Sequence, residues 1–528
     1  MGTVVLTPDQ VSANPLKKAL ESRHSDYAKG LGTWQFYQDH YDGGPDYCSK
    51  VNPIAHLERP LRAGNLGATR YLWQYPVEPP DRYDHRITRA AYMDIISPVV
   101  DFYAATIGKQ DHILIQSDPN YDEFMDDIDL QGQSYLQFMS QARTAATVLG
   151  HSFVLVDCTR ASDELITEAD RLRQGTRPYC VLIKPQDLLN WRLDARGRPI
   201  EIMFRVLVDP ADTLLAPDYT AQSDVYEYRW WSRNEWRSYR ITNDNVQIVD
   251  EGPNPLGEIP LVPLYHRRLR AYKGESLLKN SAKVGQLLTN WASALDESFE
   301  TQMFAVPVLE SLSTPTEVGV GVAWVLHLNP EQKEKFSYVA PDTAPFEVAW
   351  SSFYRMLAIA NAFMGFQQGT AITGQNDVPA ANKASGVSKA WDFFQTEKIL
   401  SRMATNEQET AKGIFYYAGK WSGSEFTGSI QYSQSYDLST LAEDLANLVL
   451  MQSVGMPMEV RKEIMRRISA KALPSLDDET RQEIEDAIDM VDLTPEASLG
   501  AMPTGSFPGR GSVAEPPGGN APPSGSVQ

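Results

Sequence analysis

Cysteine is scarce. Three residues in 528, Cys48, Cys158 and Cys180, stand too far apart for a disulfide framework and fit a reducing compartment. Cys158 and Cys180 fall in strand-like runs, where a buried apolar filler is expected. No run of 18 apolar residues occurs, so no membrane span is expected. The opening MGTVVLTPDQVSANPLKK lacks the order of a signal peptide, and Leu6 stands where myristoylation needs Ser or Thr. There is no GxxxxGK[ST] loop for ATP, no GxGxxG after a strand, no GxSxG elbow and no HExxH pair. The eight histidines are dispersed, so no metal and no cofactor is expected. Acid pairs such as Asp126-Asp127, Asp296-Glu297 and Asp477-Asp478 are adjacent in sequence, so they do not face each other on a helix; they read as solvated faces. A solenoid-length repeat is also missing.

Positive charge is in deficit as well. The formal net charge is −20. A protein that grips nucleic acid by neutralising phosphates is basic. Two readings fit: the acidity serves solubility, or it lines a passage through which a phosphate backbone slides without sticking. The basic residues that exist concentrate at Arg267, Arg268, Arg270, Lys273, Lys279 and Lys283, against the single acid Glu275. This cluster meets phosphates or an acidic neighbour, or it is a surface salt-bridge network.

What is present is a pair of helical segments around a β-like insert. Segment 277–304 carries Val284, Leu288, Trp291, Leu295 and Phe299 three or four apart. Segment 344–367 repeats the pattern with Phe346, Trp350, Phe353, Leu357, Ala360 and Met364. The insert 305–343 holds Pro307, Pro315, Pro330 and Pro341, which no helix crosses, and the alternating run from Val318 to Val325. The chain goes out along one rod and returns along a second. One reading makes the rods struts in a ring of copies; the other is a helical hairpin with a β excursion in a large enzyme.

Elsewhere, residues 1–80 are aromatic-rich and aperiodic, as a segment laid over another surface. Helices are expected at 86–108, broken at Pro98, and at 131–149, ending at Gly150. Strands follow at 152–156, 179–183, 200–208, 225–231, 236–241 and 246–249, which gives an α+β class. A polar loop, 369–382, leads to a third long helix at 383–418 and a strand at 426–432. Helices at 438–452, 457–472 and 477–491 close the folded part, and the Pro/Gly/Ser tail from 494 reads as disordered.

This order of parts resembles the portal proteins of tailed double-stranded-DNA bacteriophages. The residues that carry the resemblance are Gly257-Glu-Ile-Pro-Leu-Val-Pro-Leu-Tyr265, the two rods, and Asn382-Lys-Ala-Ser-Gly-Val-Ser-Lys-Ala-Trp391, over about 86–493. The resemblance implies a wing (1–276 with 385–436), a stem (277–304 and 344–367), a clip (305–343), a tunnel loop (368–384) and a crown (437–493). It implies a non-catalytic ring of about twelve copies at one capsid vertex, conducting double-stranded DNA. Terminase and later head–tail adaptor proteins would dock on the clip, and major capsid and scaffolding protein would surround the ring in the virion after assembly in host cytoplasm. The residues expected at the DNA channel are Gln375, Asn376 and Asp377, with Lys383 and Lys389 behind them. Trp291, Leu295, Trp350 and Leu357 would pack the stem, and Val320, Trp324 and Phe336 belong to the clip. Residues 1–80 match nothing in that pattern. A carbohydrate-active hydrolase, with distant carboxylates and sugar-stacking tryptophans, or another virion structural protein, is the alternative.

Overall fold

The computed structural model describes residues 13–55, 70–75, 78–109, 113–116, 118–159, 177–208, 225–242, 245–302, 306–311, 324–327, 335–339, 344–365, 386–433, 436, 458–472 and 478–490. In chain order, α1 (Ala13–Leu20), α2 (Ser25–Asp42), α3 (Pro80–Arg89) and α4 (Ser97–Ile107) precede strand β1 (Ile113–Gln116). Then come α5 (Asp122–Asp126), α6 (Tyr135–Leu149), β2 (His151–Cys158) and β3 (Pro178–Ile183). Five strands follow: β4 (Leu188–Leu193), β5 (Pro199–Val208), β6 (Val225–Ser232), β7 (Glu235–Thr242) and β8 (Asn245–Pro253). Strand β9 (Leu261–Tyr265) and the hairpin β10 (Arg268–Arg270) with β11 (Lys273–Gly274) lead to α7 (Ser281–Gln302). Next are β12 (Val306–Ser311), β13 (Trp324–His327), β14 (Lys335–Val339), α8 (Ala344–Phe363), α9 (Gly386–Ser422) and β15 (Ser429–Tyr432). Helices α10 (Met458–Ala472) and α11 (Asp478–Met490) lie in a second compact unit, 437–528; the rest forms the unit 1–436. In the second unit Arg466 of α10 pairs with Asp489 of α11 at 2.5 Å. The class is α+β, as expected.

The centre of the larger unit is the antiparallel sheet β3–β2–β9, where Phe153, Val154, Leu155 and Val156 are fully buried. Successive side chains alternate between its faces. On one face Phe153 stacks on Tyr272 at 5.2 Å between ring centroids, and His151 meets Tyr27 and Trp34 of α2. On the other, Ser152 Oγ donates to Ala142 O of α6 (2.9 Å), and Val262 of β9 faces Gly413 of α9. A Cβ at Gly413 would lie 2.7 Å from Val262 Cγ1, so glycine sets how near the long helix comes to the sheet. The meander β4–β5–β6–β7–β8 is wholly antiparallel, and α1 places Leu16 and Leu20 on its Tyr228/Trp230 face.

One ion pair ties the helices together. Arg143 of α6 grips Glu407 of α9 through Nε–Oε2 (2.6 Å) and Nη2–Oε1 (2.7 Å), and its Nη1 donates to Ala104 O of α4 (2.6 Å). Both side chains are at most 2 % exposed. Sequence reading missed this pair. Its signal is that Glu407 occupies the helical register of the buried residues Leu400, Ala404, Ala411, Ile414 and Ala418, where an apolar residue is expected.

Several expectations need correction. The tract 1–80 is not irregular throughout: Ser25–Asp42 is an 18-residue helix. It buries Tyr27, Trp34, Phe36, Asp39 and His40 on more than one side, which erases the one-sided stripe that reveals a helix. The expected helix 86–108 is two, α3 and α4, with Pro98 in the first turn of the second, where its missing N–H is harmless. Strands β1 and β4 were not expected. The basic stretch opens as the hairpin β10–β11, and the first rod starts at Ser281 after a 3₁₀ turn, Leu277–Lys279. Helix α6 ends as expected at Gly150, whose φ of +93° places it in the left-handed region. Cys180 is buried in β3 as expected, whereas Cys158 is half-buried. The region 438–452, the loop 369–382 and the tail lie outside the described residues.

Two measurements follow. Glu407→Ala leaves Arg143 charged and unpaired in the interior, so chemical denaturation should report a loss of about 3–5 kcal/mol, and the joint replacement Arg143→Met with Glu407→Leu should recover much of it. Burial lowers His40, His151 and His266 to a pKa of about 3. The unfolded chain takes up these protons near its ordinary value of 6.5 and the folded chain does not, so this stability is full above about pH 6.5 and drains as pH falls toward 3. Thermal melts at about pH 7 and about pH 4.5 should show the acid loss, and His151→Gln should reduce it.

Candidate assembly site

Helices α7 and α8 lie against each other, with Phe299 and Phe346 stacked at 5.3 Å. The insert between them is the three-stranded sheet β13–β12–β14, with β12 parallel to β13 and antiparallel to β14. The outward rod, β insert and return rod expected from the prolines are therefore present.

The first rod does not wait for a neighbour to cover it. Its most buried face is polar and small: Ser281, Ala282, Gln286, Thr289, Asn290 and Ser293, with Leu288 as its fully buried apolar member. Those polar groups bind the chain's own aromatic segment. Trp73 N–H donates to Asn290 Oδ1 (2.7 Å), Asn290 Nδ2 and Gln286 Nε2 donate to Tyr71 O (3.0 and 3.1 Å), and Met93 N–H donates to Thr289 Oγ1 (3.3 Å). Arg86 fastens the strap. Its guanidinium holds Glu78 (2.7 and 2.8 Å), Trp73 O (2.6 Å) and Ser293 Oγ (3.2 Å). Asp296 and Glu297, expected as a solvated face, accept from Arg89 (2.6 Å) and Arg82 (2.5 Å) of α3, and Glu300 also pairs with Arg89. The aromatic segment covers its own helix. Helical periodicity did not expose this, because the buried face is built of Gln, Asn, Thr and Ser.

The second rod is different. Phe353, Ala360 and Met364 are buried, while Val348 (67 %), Phe363 (50 %) and Ile359 (42 %) are exposed on the same helix. Of the expected packing residues, Trp291, Leu295 and Leu357 are half-buried, and Trp350 is exposed with its ring stacked 5.9 Å from Tyr354.

The basic cluster at the base of the rods is partly paired inside the chain. Glu275 receives both Arg267 (2.7 Å) and Lys279 (2.6 Å), and the hydrogen bond from Lys279, helped by Arg267, holds its carboxyl below the ordinary range. Arg270 pairs with Asp26, Arg268 lies over the Tyr265 ring at 5.5 Å, and Lys283 donates to Gln286 Oε1 at 2.8 Å, 5.4 Å from the Trp73 ring centroid. Lys273 is half-buried in β11. Two carboxylates, Glu275 and Asp26, thus pair three of the six cations, Arg267, Lys279 and Arg270.

Gln375, Asn376, Asp377, Lys383 and Val320 lie outside the described residues. Lys389 sits in the first turn of α9, Trp324 begins β13, and Phe336 on β14 pairs in register with Leu309; nothing further is described of their side chains. The tryptophan-and-carboxylate pattern behind the hydrolase alternative gathers in one cleft of about 1180 Å³, with Trp231, Trp236, Trp421, Asp157 and Glu227 among its walls. Its acids are engaged: Glu227 accepts from Arg229 Nε (2.9 Å) and Asp157 from the Tyr179 hydroxyl (3.1 Å). Among the described residues no cluster of metal-ligating side chains occurs, and no helix is long and apolar enough to cross a membrane.

No family model matches the chain, and no curated protein matches it. Among solved structures it is similar to a chain of the virion of a native gene transfer agent particle, at 9 % identity and a TM-score of 0.34. It is also similar to a chain of the neck of the native particle, computed with C12 symmetry (8 %, 0.34), and of the neck of the empty particle, computed with C6 symmetry (10 %, 0.35). Each likeness covers 70 % of this chain and 88 % of the other.

The strap makes a specific demand. Arg86→Ala should release residues 71–75 from α7, raising amide hydrogen exchange there and along 286–293, at a cost of about 3 kcal/mol. Arg86→Lys should rescue little, since one ammonium cannot reproduce the planar fork.

Proposed function

We propose that the chain is the repeating subunit of a portal-type ring, a passive conduit for double-stranded DNA at one vertex of a virion, without catalysis of its own. The observation that carries the reading is the exposed apolar residues of α8, Val348, Ile359 and Phe363, which share one face with the exposed Arg355, on a helix pair whose other side is already braced by the chain itself. A monomer leaves that face in water; identical copies set round an axis bury it, which is where association draws its hydrophobic energy. The net charge of −20 suits a passage along which DNA slides, and a chain without an ATP loop suits a conduit driven by a separate motor.

In this reading α7 and α8 form the stem, and β12–β14 form the clip that receives terminase and then head–tail adaptors. The loop with Gln375, Asn376, Asp377 and Lys383, together with Lys389, faces the DNA. Ring number and capsid partners rest on the resemblance alone.

Negative-stain microscopy of the purified chain should show annular particles with a central hole. Ile359→Glu with Phe363→Glu should convert them to folded monomers, with unchanged circular dichroism and a mass near 59.0 kDa by light scattering. A wild-type protein that stays monomeric at micromolar concentration would sink the reading.

A further inference from the structure

Strands β1 and β15 form a two-stranded ribbon, registered from Ile113↔Tyr432 to Gln116↔Ser429. Beside β15, away from β1, lies a cavity of about 720 Å³, walled on its far side by the stretch of α9 from Gln408 to Gly423. The backbone is turned toward it. Tyr432 N–H points away from β1 to Gln408 Oε1 (3.2 Å), a residue of that wall. Antiparallel pairing alternates inward and outward groups, so the N–H and C=O of Ile430, two residues back, turn the same way. Among the described residues neither has a partner there. Ala411, Phe415, Tyr416, Phe426 and Ile430 make the apolar part of its wall, and Lys412, Lys420 and Glu425 the charged part. Tyr416 is 54 % exposed. The strand Ser429-Ile-Gln-Tyr432 carries no lysine, proline or bulge; its defences are its four-residue length and the Gln408 contact at Tyr432, which leave Ile430 open.

We propose that this edge accepts a third strand, Thr3-Val4-Val5-Leu6-Thr7, from a second copy of the chain; the proposal rests on the ring reading, which sets copies side by side. The occupant is argued from the sequence and the placement of α1. Residues 1–8 carry no charged side chain, 3–7 are mostly β-branched, and Pro8 ends any ladder. Five extended residues span about 16 Å, enough to run the length of the four-residue β15. The stretch 1–12 spans at most about 40 Å when fully extended. In its own chain α1 is anchored on the Tyr228/Trp230 face of the five-stranded sheet. Lys420, on the cavity wall, also borders the cleft of Glu227, Arg229 and Trp231 on the opposite face. The anchor of α1 and this end of the cavity thus lie toward opposite faces of that sheet, which favours a segment from a second copy over the chain's own. Backbone pairing then gives affinity, and Val4 and Leu6, alternating with Val5, fill the apolar walls.

Replacing Tyr416 by the photo-crosslinking residue p-benzoylphenylalanine tests this in the full chain. Irradiating a mixture of unlabelled and ¹⁵N-labelled copies should give dimer-sized bands on a denaturing gel. Their tryptic digest should join the Tyr416 peptide to residues 1–17, in hybrids of labelled and unlabelled chains. Deleting residues 2–8 should leave the rings intact and cut this crosslink at least tenfold. Links within one chain only, or to any other segment, overturn the proposal. Microscopy of the same sample separates the two failures: rings without the link to 1–17 refute only the strand exchange, and monomers refute the ring reading with it.

Discussion

The larger unit depends on one buried charge pair. Arg143 and Glu407 are drawn from helices 264 positions apart in sequence, and Arg143 reaches the end of a third helix at Ala104 O. Two ions taken out of water are costly, and only a bidentate geometry with the remaining donors satisfied offsets that. The geometry is therefore demanding: α4, α6 and α9 must meet in one register for the pair to close. Once it closes, α9 is fixed against the central sheet at Gly413, and both of its ends are positioned. One end leads from the loop 369–382 and the other turns into β15.

From that frame the two rods leave with unequal faces. The first is held by polar groups that bond to the backbone of residues 71–75 and by the arginines of α3. Side-chain amides bonded to backbone give direction and register that apolar packing would not, since every donor must find its acceptor. The second rod is held by apolar contacts on one side and keeps Val348, Ile359 and Phe363 in water on the other. In the proposed ring that exposed face is the surface identical copies would bury, and the hydrogen bonds that brace the first rod are already made within the monomer.

Charge follows the same division of labour. The run from Arg267 to Lys283 looks like a docking patch when written as a line; Glu275 and Asp26 pair Arg267, Lys279 and Arg270, while Arg268 lies over the neutral Tyr265 ring and Lys283 donates to the neutral Gln286 amide. The acid pair Asp296-Glu297 is in turn absorbed by Arg89 and Arg82. Pairing at the rods thus lowers local charge of both signs.

The amino-acid string determined whatever depends on near neighbours. Prolines in 305–343 interrupt helices wherever they fall, so the rod–sheet–rod order was legible, as were the meander, the cap at Gly150 and the α+β class. Helix α2 was not, because its apolar groups face several partners at once and leave no period. Strands β1 and β4 are short, and β1 exists only because residues 429–432, more than three hundred positions away, supply its ladder. The Arg143–Glu407 pair, the polar face of α7 and the partial pairing of the basic cluster were decided by the tertiary structure alone. Each joins groups remote in sequence, and a polar side chain carries no mark of the partner that will satisfy it until the fold brings the two within hydrogen-bonding distance.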